Sequence, residues 1–133
     1  MKNYEMSLID LISIDSYGWI ERFTNGPKAS LYNQVIESNQ QKEIITSVVV
    51  LSEVYRKVKQ LKSEEEALLA VAALSQTTVV DVDQTISIEA ADYSLEFGLH
   101  FSDALVYATA SHWKAKLYTS DDNLHSLKFV CFV

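Results

Sequence analysis

The chain is predicted to fold as one α/β domain built on a mainly parallel sheet. Its 133 residues fit one ordinary domain and leave no room for two. Runs of β-forming residues alternate with stretches of helical periodicity from one end to the other, which implies crossover connections and parallel strands. Only three glycines and one proline are present, too few for flexible linkers or low-complexity tracts.

The elements follow in order. Residues 8–14 form an apolar, β-prone run ending before Asp15, the first buried strand. Residues 16–23 and 28–38 have helical spacing, the second with a stripe of Leu31, Val35, Tyr32 and Ile36. Between them Asn25-Gly26-Pro27 reads as an intradomain loop, with Pro27 able to open the next helix. Residues 43–46 are a short strand. From Ser47 the rhythm of Val50, Leu51, Val54, Val58 and Leu61 predicts a helix despite the β preference of valine. Ser63 with Glu66 is a capping box for the helix running to Leu74. Residues 77–82 are β-branched, and Asp83 then caps a helix carrying Ile86, Ile88, Ala90, Ala91 and Leu95 that Gly98 stops. Ser102 or Asp103 opens a last helix, apolar nearly all round over 104–110 and so covered on both sides. Residues 116–120 and 128–133 are the remaining strands, joined by a turn at 122–126.

Charge and cysteine usage narrow the function. Eighteen acidic against eleven basic residues give a formal charge of −7, which argues against a protein that coats duplex DNA through its overall field. The one cysteine, Cys131, excludes an internal disulfide and reads as a small buried hydrophobe in a reducing compartment. His100, His112 and His125 lack the spacing of a zinc site. No apolar run approaches the roughly 18 residues that span a bilayer, and no secretory leader is visible, so the expected location is cytoplasmic.

In a parallel sheet, ligands bind beyond the carboxyl ends of the strands. Asp15 and Asp121 each directly follow a predicted strand and should project at that edge. Asp103 stands in the first turn of a helix, and Glu53 borders the core stripe of the helix that starts near Ser47. Each has an ordinary reading alone: turn former, helix cap or solvated glutamate. Together they are four carboxylates that this topology can gather, and converging anions need a compensating cation. Oxygen donors without cysteine or paired histidine select Mg²⁺ or Mn²⁺, and the chemistry such a site suits is phosphoryl transfer.

These residues carry a family resemblance. Ile14-Asp15-Ser16-Tyr17-Gly18-Trp19-Ile20-Glu21 resembles the opening motif of PIN-domain nucleases, especially the VapC-like ribonuclease toxins of toxin–antitoxin pairs. Three further stretches resemble the family's later acidic motifs, in order: Thr46-Ser47-Val48-Val49-Val50-Leu51-Ser52-Glu53-Val54, then Phe101-Ser102-Asp103-Ala104-Leu105-Val106-Tyr107, then Leu117-Tyr118-Thr119-Ser120-Asp121-Asp122-Asn123-Leu124. The resemblance spans about residues 11–133 and implies a PIN-like three-layer α/β/α fold for a single domain of residues 1–133; the late start of the first strand departs from the family pattern, with 1–7 read as an amino-terminal extension or an overlong start and Asp10 as structural. It implies that Asp15, Glu53, Asp103 and Asp121 are the catalytic, metal-binding quartet, that Ser16 and Thr119 support the site or orient an acid, and that Asp122 is a neighbour one residue out of step. It further implies a Mg²⁺- or Mn²⁺-dependent endoribonuclease, a cognate antitoxin, an RNA substrate and a homodimer.

The remaining candidates surround that quartet. Arg56, Lys57 and Lys59, with Lys62, lie after Glu53 on the outer side of its helix, as a solvated face or as a phosphate-contacting rim that Lys114 and Lys116 extend. Tyr17, Trp19 and Tyr107 are positioned for base stacking or, for the last two, for the core. His100 precedes Asp103 by one turn at most. The rival readings are a catalytically silent PIN-like module that holds a protein or RNA partner, and a phosphatase or phospho-receiver, which Asp15-Ser16-Tyr17 does not match.

Overall fold

The computed structural model describes residues 10–133; the predicted extension at 1–7 and the first two residues of the predicted opening strand lie outside them. Among the described residues five short strands, β1 (Ile12–Ile14), β2 (Ile45–Ser47), β3 (Thr78–Val80), β4 (Lys116–Thr119) and β5 (Val130–Phe132), alternate with six α-helices. The helices are α1 (Ser16–Thr24), α2 (Ala29–Glu37), α3 (Val48–Leu61), α4 (Glu64–Leu74), α5 (Gln84–Phe97) and α6 (Phe101–His112). All strand pairings are parallel: β4 lies between β1 and β5, and β2 pairs with β3. A single bridge, Ile12 to Ile44, and a hydrogen bond donated by Ser13 Oγ to the Ile45 carbonyl (2.8 Å) join the two ladders into one central sheet in the order β5-β4-β1-β2-β3.

That order places a topological switch between β1 and β4. The chain leaves β1 toward one side of the sheet and returns to β4 on the other, so the crevice beyond their carboxyl ends stays open. Register brings Ile14 opposite Tyr118, and the Asp15 N–H donates to the Tyr118 carbonyl at 3.1 Å.

The core is built from Ile12, Ile14 and Leu117 on the strands, Val50, Val54 and Val58 on α3, and the alanine-rich inner face of α6. The valines at 48–50 are helical because Ser47 caps α3, accepting from the Val49 N–H at 3.1 Å, and because valines four residues apart fill one buried stripe. Helix α4 begins at the Ser63 cap, α5 at the Asp83 cap, and Gly98 ends α5 in the left-handed conformation at φ 67°.

Several expectations shift. The buried stripe of α2 is Ala29, Tyr32 and Ile36, while Leu31 is exposed. On α5, Ile86 and Ala90 are buried but Ile88 and Leu95 face water. The second strand starts two residues later than expected, the third and fifth are shorter, and Cys131 is only partly buried. Helix α6 starts at Phe101 with His100 at its cap position, so Asp103 does not cap it. None of the described helices is long and apolar enough to cross a membrane.

Candidate active site

A cavity of about 420 Å³ opens at the carboxyl end of β1 and β4. Asp15, Asp103 and Asp121 line it, together with Ser16, Thr119 and Lys28. Each acid arrives by a different route. Asp15 is the cap of α1: Oδ1 accepts from the Gly18 N–H at 2.8 Å, while Oδ2 accepts from Thr119 Oγ1 at 2.7 Å and from the Ser120 N–H at 3.4 Å. Gly18 sits where a Cβ would come within 2.7 Å of Ile14 Cγ2 and overlap the Tyr32 ring, so only glycine lets this turn close. Asp121 ends the β4 segment and caps the short turn Asp122–Leu124, accepting from the Asn123 N–H at 2.9 Å. Asp103 enters from the first turn of α6.

Glu53 is outside the cavity lining but is tied to it. Ser16 Oγ donates to Glu53 Oε1 at 2.5 Å, joining α3 to the first residue of α1. Thr119 acts similarly on Asp15, and its own oxygen also accepts from the Asp121 N–H at 3.0 Å, so one hydroxyl links two acids.

The electrostatics reflect this crowding. Burial pushes the Asp15 carboxyl above its ordinary range, against the hydrogen bonds from Thr119, Gly18 and Ser120 that pull it down. The Asp103 carboxyl is also pushed up, first by burial, then by the negative charges of Asp121 and Glu53; His100 pulls it the other way, and Asp15 adds a further upward push. Among the described residues the ion pairs are Arg22–Glu37, Lys59–Glu64 and His112–Glu89, so none of the four acids is neutralised by a basic side chain.

Hard oxygen donors, unpaired and mutually repelling, are chemically suited to a divalent cation. Among the described residues no three His, Cys, Asp or Glu side chains already close on a single point. A cation here must therefore draw the carboxylates inward or be held partly through water, as Mg²⁺ commonly is.

The other candidates separate from this group. Asp122 is exposed beside the cavity and does not line it. Arg56 and Lys57 are exposed on α3, and Lys59 is engaged with Glu64 at 3.1 Å and with the Tyr55 hydroxyl at 3.3 Å. His112 meets Glu89 at 3.3 Å, and His125 packs on Phe132. Trp19 and Tyr107 belong to the core at 3% and 4% exposure, whereas Tyr17, 44% exposed, lines the cavity.

Three participants are not visible in the sequence pattern. Tyr32 is fully buried under Gly18, its hydroxyl 2.7 Å from Ser120 Oγ, and burial together with the Asp15 charge raises its phenol. Its apolar neighbours give it the look of simple core. Glu21, buried, accepts from the Lys28 N–H at 2.5 Å and so fixes the entry to α2. Lys28 itself is hidden in a loop; its only signal is its place directly after Pro27.

A parallel sheet with acids gathered beyond the carboxyl ends of β1 and β4 places a polar ligand site at the topological switch. The PIN domain family model matches residues 12–130, and the chain belongs to that family. Among solved structures, a toxin–antitoxin complex from Klebsiella pneumoniae superposes with a TM-score of 0.77 at 21% identity, covering 90% of this chain and 95% of that one. VapC20 of Mycobacterium tuberculosis, described as a sarcin-ricin loop cleaving toxin, gives 0.70 at 16% identity over 86% and 91%. VapBC2 of Rickettsia felis, bound to a DNA fragment from its promoter, gives 0.70 at 15% over 92% and 97%. These likenesses are of fold. Among curated protein sequences no relative matches the chain.

Proposed function

We propose that the protein is a metal-dependent endoribonuclease, the toxin of a toxin–antitoxin pair. The observation that carries this reading is the cavity at the β1–β4 switch, lined by three aspartates that have no basic partner among the described residues, with a fourth acid, Glu53, tied in through Ser16. Membership of the PIN family and the likeness in fold to toxins such as VapC20 support it.

Asp15, Asp103 and Asp121 would hold the cation, with Glu53 approaching from α3. A bound Mg²⁺ or Mn²⁺ supplies charge neutralisation at a phosphodiester oxygen and an acidified water. The chain's own contribution is orientation. Thr119 and the Gly18 N–H fix the two oxygens of Asp15, so neither rotates away when substrate arrives. Ser16 does the same for Glu53.

The natural partner is a cognate antitoxin that covers this cavity, and the working assembly is a homodimer in the cytoplasm. Sedimentation equilibrium then returns twice the chain mass of 15.0 kDa. The decisive test is cleavage of total RNA with added Mn²⁺. Asp15→Asn and Asp103→Asn are expected to lower the rate by at least about a hundredfold, with circular dichroism unchanged. Variants that cut as well as the parent refute the assignment. Calorimetry with Mn²⁺ adds a check, since a silent binding module shows no uptake that depends on Glu53 and Asp121.

A further inference from the structure

The acidic constellation does not account for Lys28. Lys28 is the basic side chain on the cavity wall, in a chain of formal charge −7. Its backbone is clamped: Glu21 Oε1 accepts from its N–H at 2.5 Å, and Gly26 packs so closely on the same carboxylate that a Cβ there would overlap it. Its ammonium donates to the Val133 backbone oxygen at 3.0 Å and stands 5.9 Å over the Phe132 ring. Both interactions hold the ammonium at the wall, and no ion pair with a side-chain carboxylate among the described residues includes it.

A positioned cation with no side-chain carboxylate partner among the described residues, set beside an acidic pit, favours an anion that must approach that pit. A phosphodiester is such an anion, and Lys is a common phosphate binder. Tyr17 lines the same cavity. It follows Ser16 on α1, and its ring meets Tyr32 edge-on at 6.2 Å and 72°, leaving it 44% exposed. An exposed ring beside a phosphate-seeking charge is the pairing that holds one unstacked nucleotide.

We propose that Lys28 and Tyr17 form a nucleotide-gripping wall. Lys28 contacts a phosphate flanking the one presented to the acids, and Tyr17 stacks on the base joined to it. The occupant is single-stranded RNA, because a duplex keeps its bases stacked on one another. The assignment rests on the nuclease reading of the acidic site. It moves the RNA-binding surface from the basic residues of α3 to the α1–α2 side of the cavity.

Steady-state cleavage of a random-sequence single-stranded oligoribonucleotide by the full chain, repeated across a salt titration, tests it. Lys28→Gln is expected to raise KM about tenfold with kcat held within about twofold. It should also flatten the slope of log(1/KM) against log[salt] by about 0.7, the change for one fewer neutralised phosphate on a single strand, and Lys28→Arg should restore both. Tyr17→Ala should raise KM by about tenfold without changing the salt slope, and Tyr17→Phe should restore it.

An unchanged salt slope in Lys28→Gln overturns the proposal, as does a fall in kcat at constant KM with a lowered melting temperature, which marks Lys28 as a latch for β5. Unchanged KM in Tyr17→Ala overturns it too, as does equal cleavage of a duplex with the same dependence on Tyr17. If the unaltered chain leaves total RNA intact with every divalent ion tried, the nuclease reading falls and takes the wall with it. If the unaltered chain cuts and the variants match it, the wall alone is refuted.

Discussion

Asp103 is the acid with the least protein support, half-buried on α6 and facing the charges of Asp121, Glu53 and Asp15. Its folded carboxyl is raised above the ordinary 3.8, so folding disfavours its charged form. The penalty is complete at neutral pH, lessens as pH falls through the raised value, and vanishes below the ordinary one. Metal-free Asp103→Asn should therefore melt higher than the parent at pH 7, with the gap closing as the pH approaches 4. Thermal melts in chelator across that range check this, and a gap that widens on acidification contradicts it. The sequence made these acids visible because Asp15 and Asp121 follow apolar strands directly. It hid Lys28 and Tyr32, whose roles come from their meeting Glu21 and Ser120 at distances set by folding alone.

At the level of elements, helix starts were legible because caps are local. Ser47, Ser63 and Asp83 each accept from an N–H two or three residues on. Buried faces were less legible. Helix α5 packs against α6, which covers a stripe through Ile86 and Ala90; Ile88, two residues from either, points the opposite way. Tyr32, not Leu31, turns inward on α2 because Gly18 leaves a hollow that its ring fills. That close approach predicts the behaviour of Gly18→Ala. Its Cβ must displace Tyr32 and Ile14, at a cost of about 1–3 kcal/mol in urea unfolding. Because the Gly18 N–H also holds Asp15, cleavage should fall more than the stability loss alone explains.

For the whole molecule, the α/β class was readable from alternation, but strand order was not: β2–β3 and β4–β5 join consecutive strands, whereas the central pairing of β1 with β4 joins segments 104 residues apart. The least secured line runs between β1 and β2, where one bridge and the buried Ser13 hydroxyl replace a full ladder. Ser13→Ala should lower stability by about 1–2 kcal/mol, since the Ile45 carbonyl is then without that donor in the interior. Denaturant titration measures it, and an unchanged midpoint shows the seam to be held by packing.

The bond from Thr119 to Asp15 spans 104 positions of the chain. A ribosome therefore builds the first acid long before the hydroxyl that orients it. Until β4 has been synthesised, β1 lacks its neighbour and Asp15 lacks the hydroxyl that fixes one of its oxygens. A polypeptide released before position 116 therefore carries Asp15 on a strand with neither β4 nor Thr119 beside it, so translation must pass that point before the first acid is oriented.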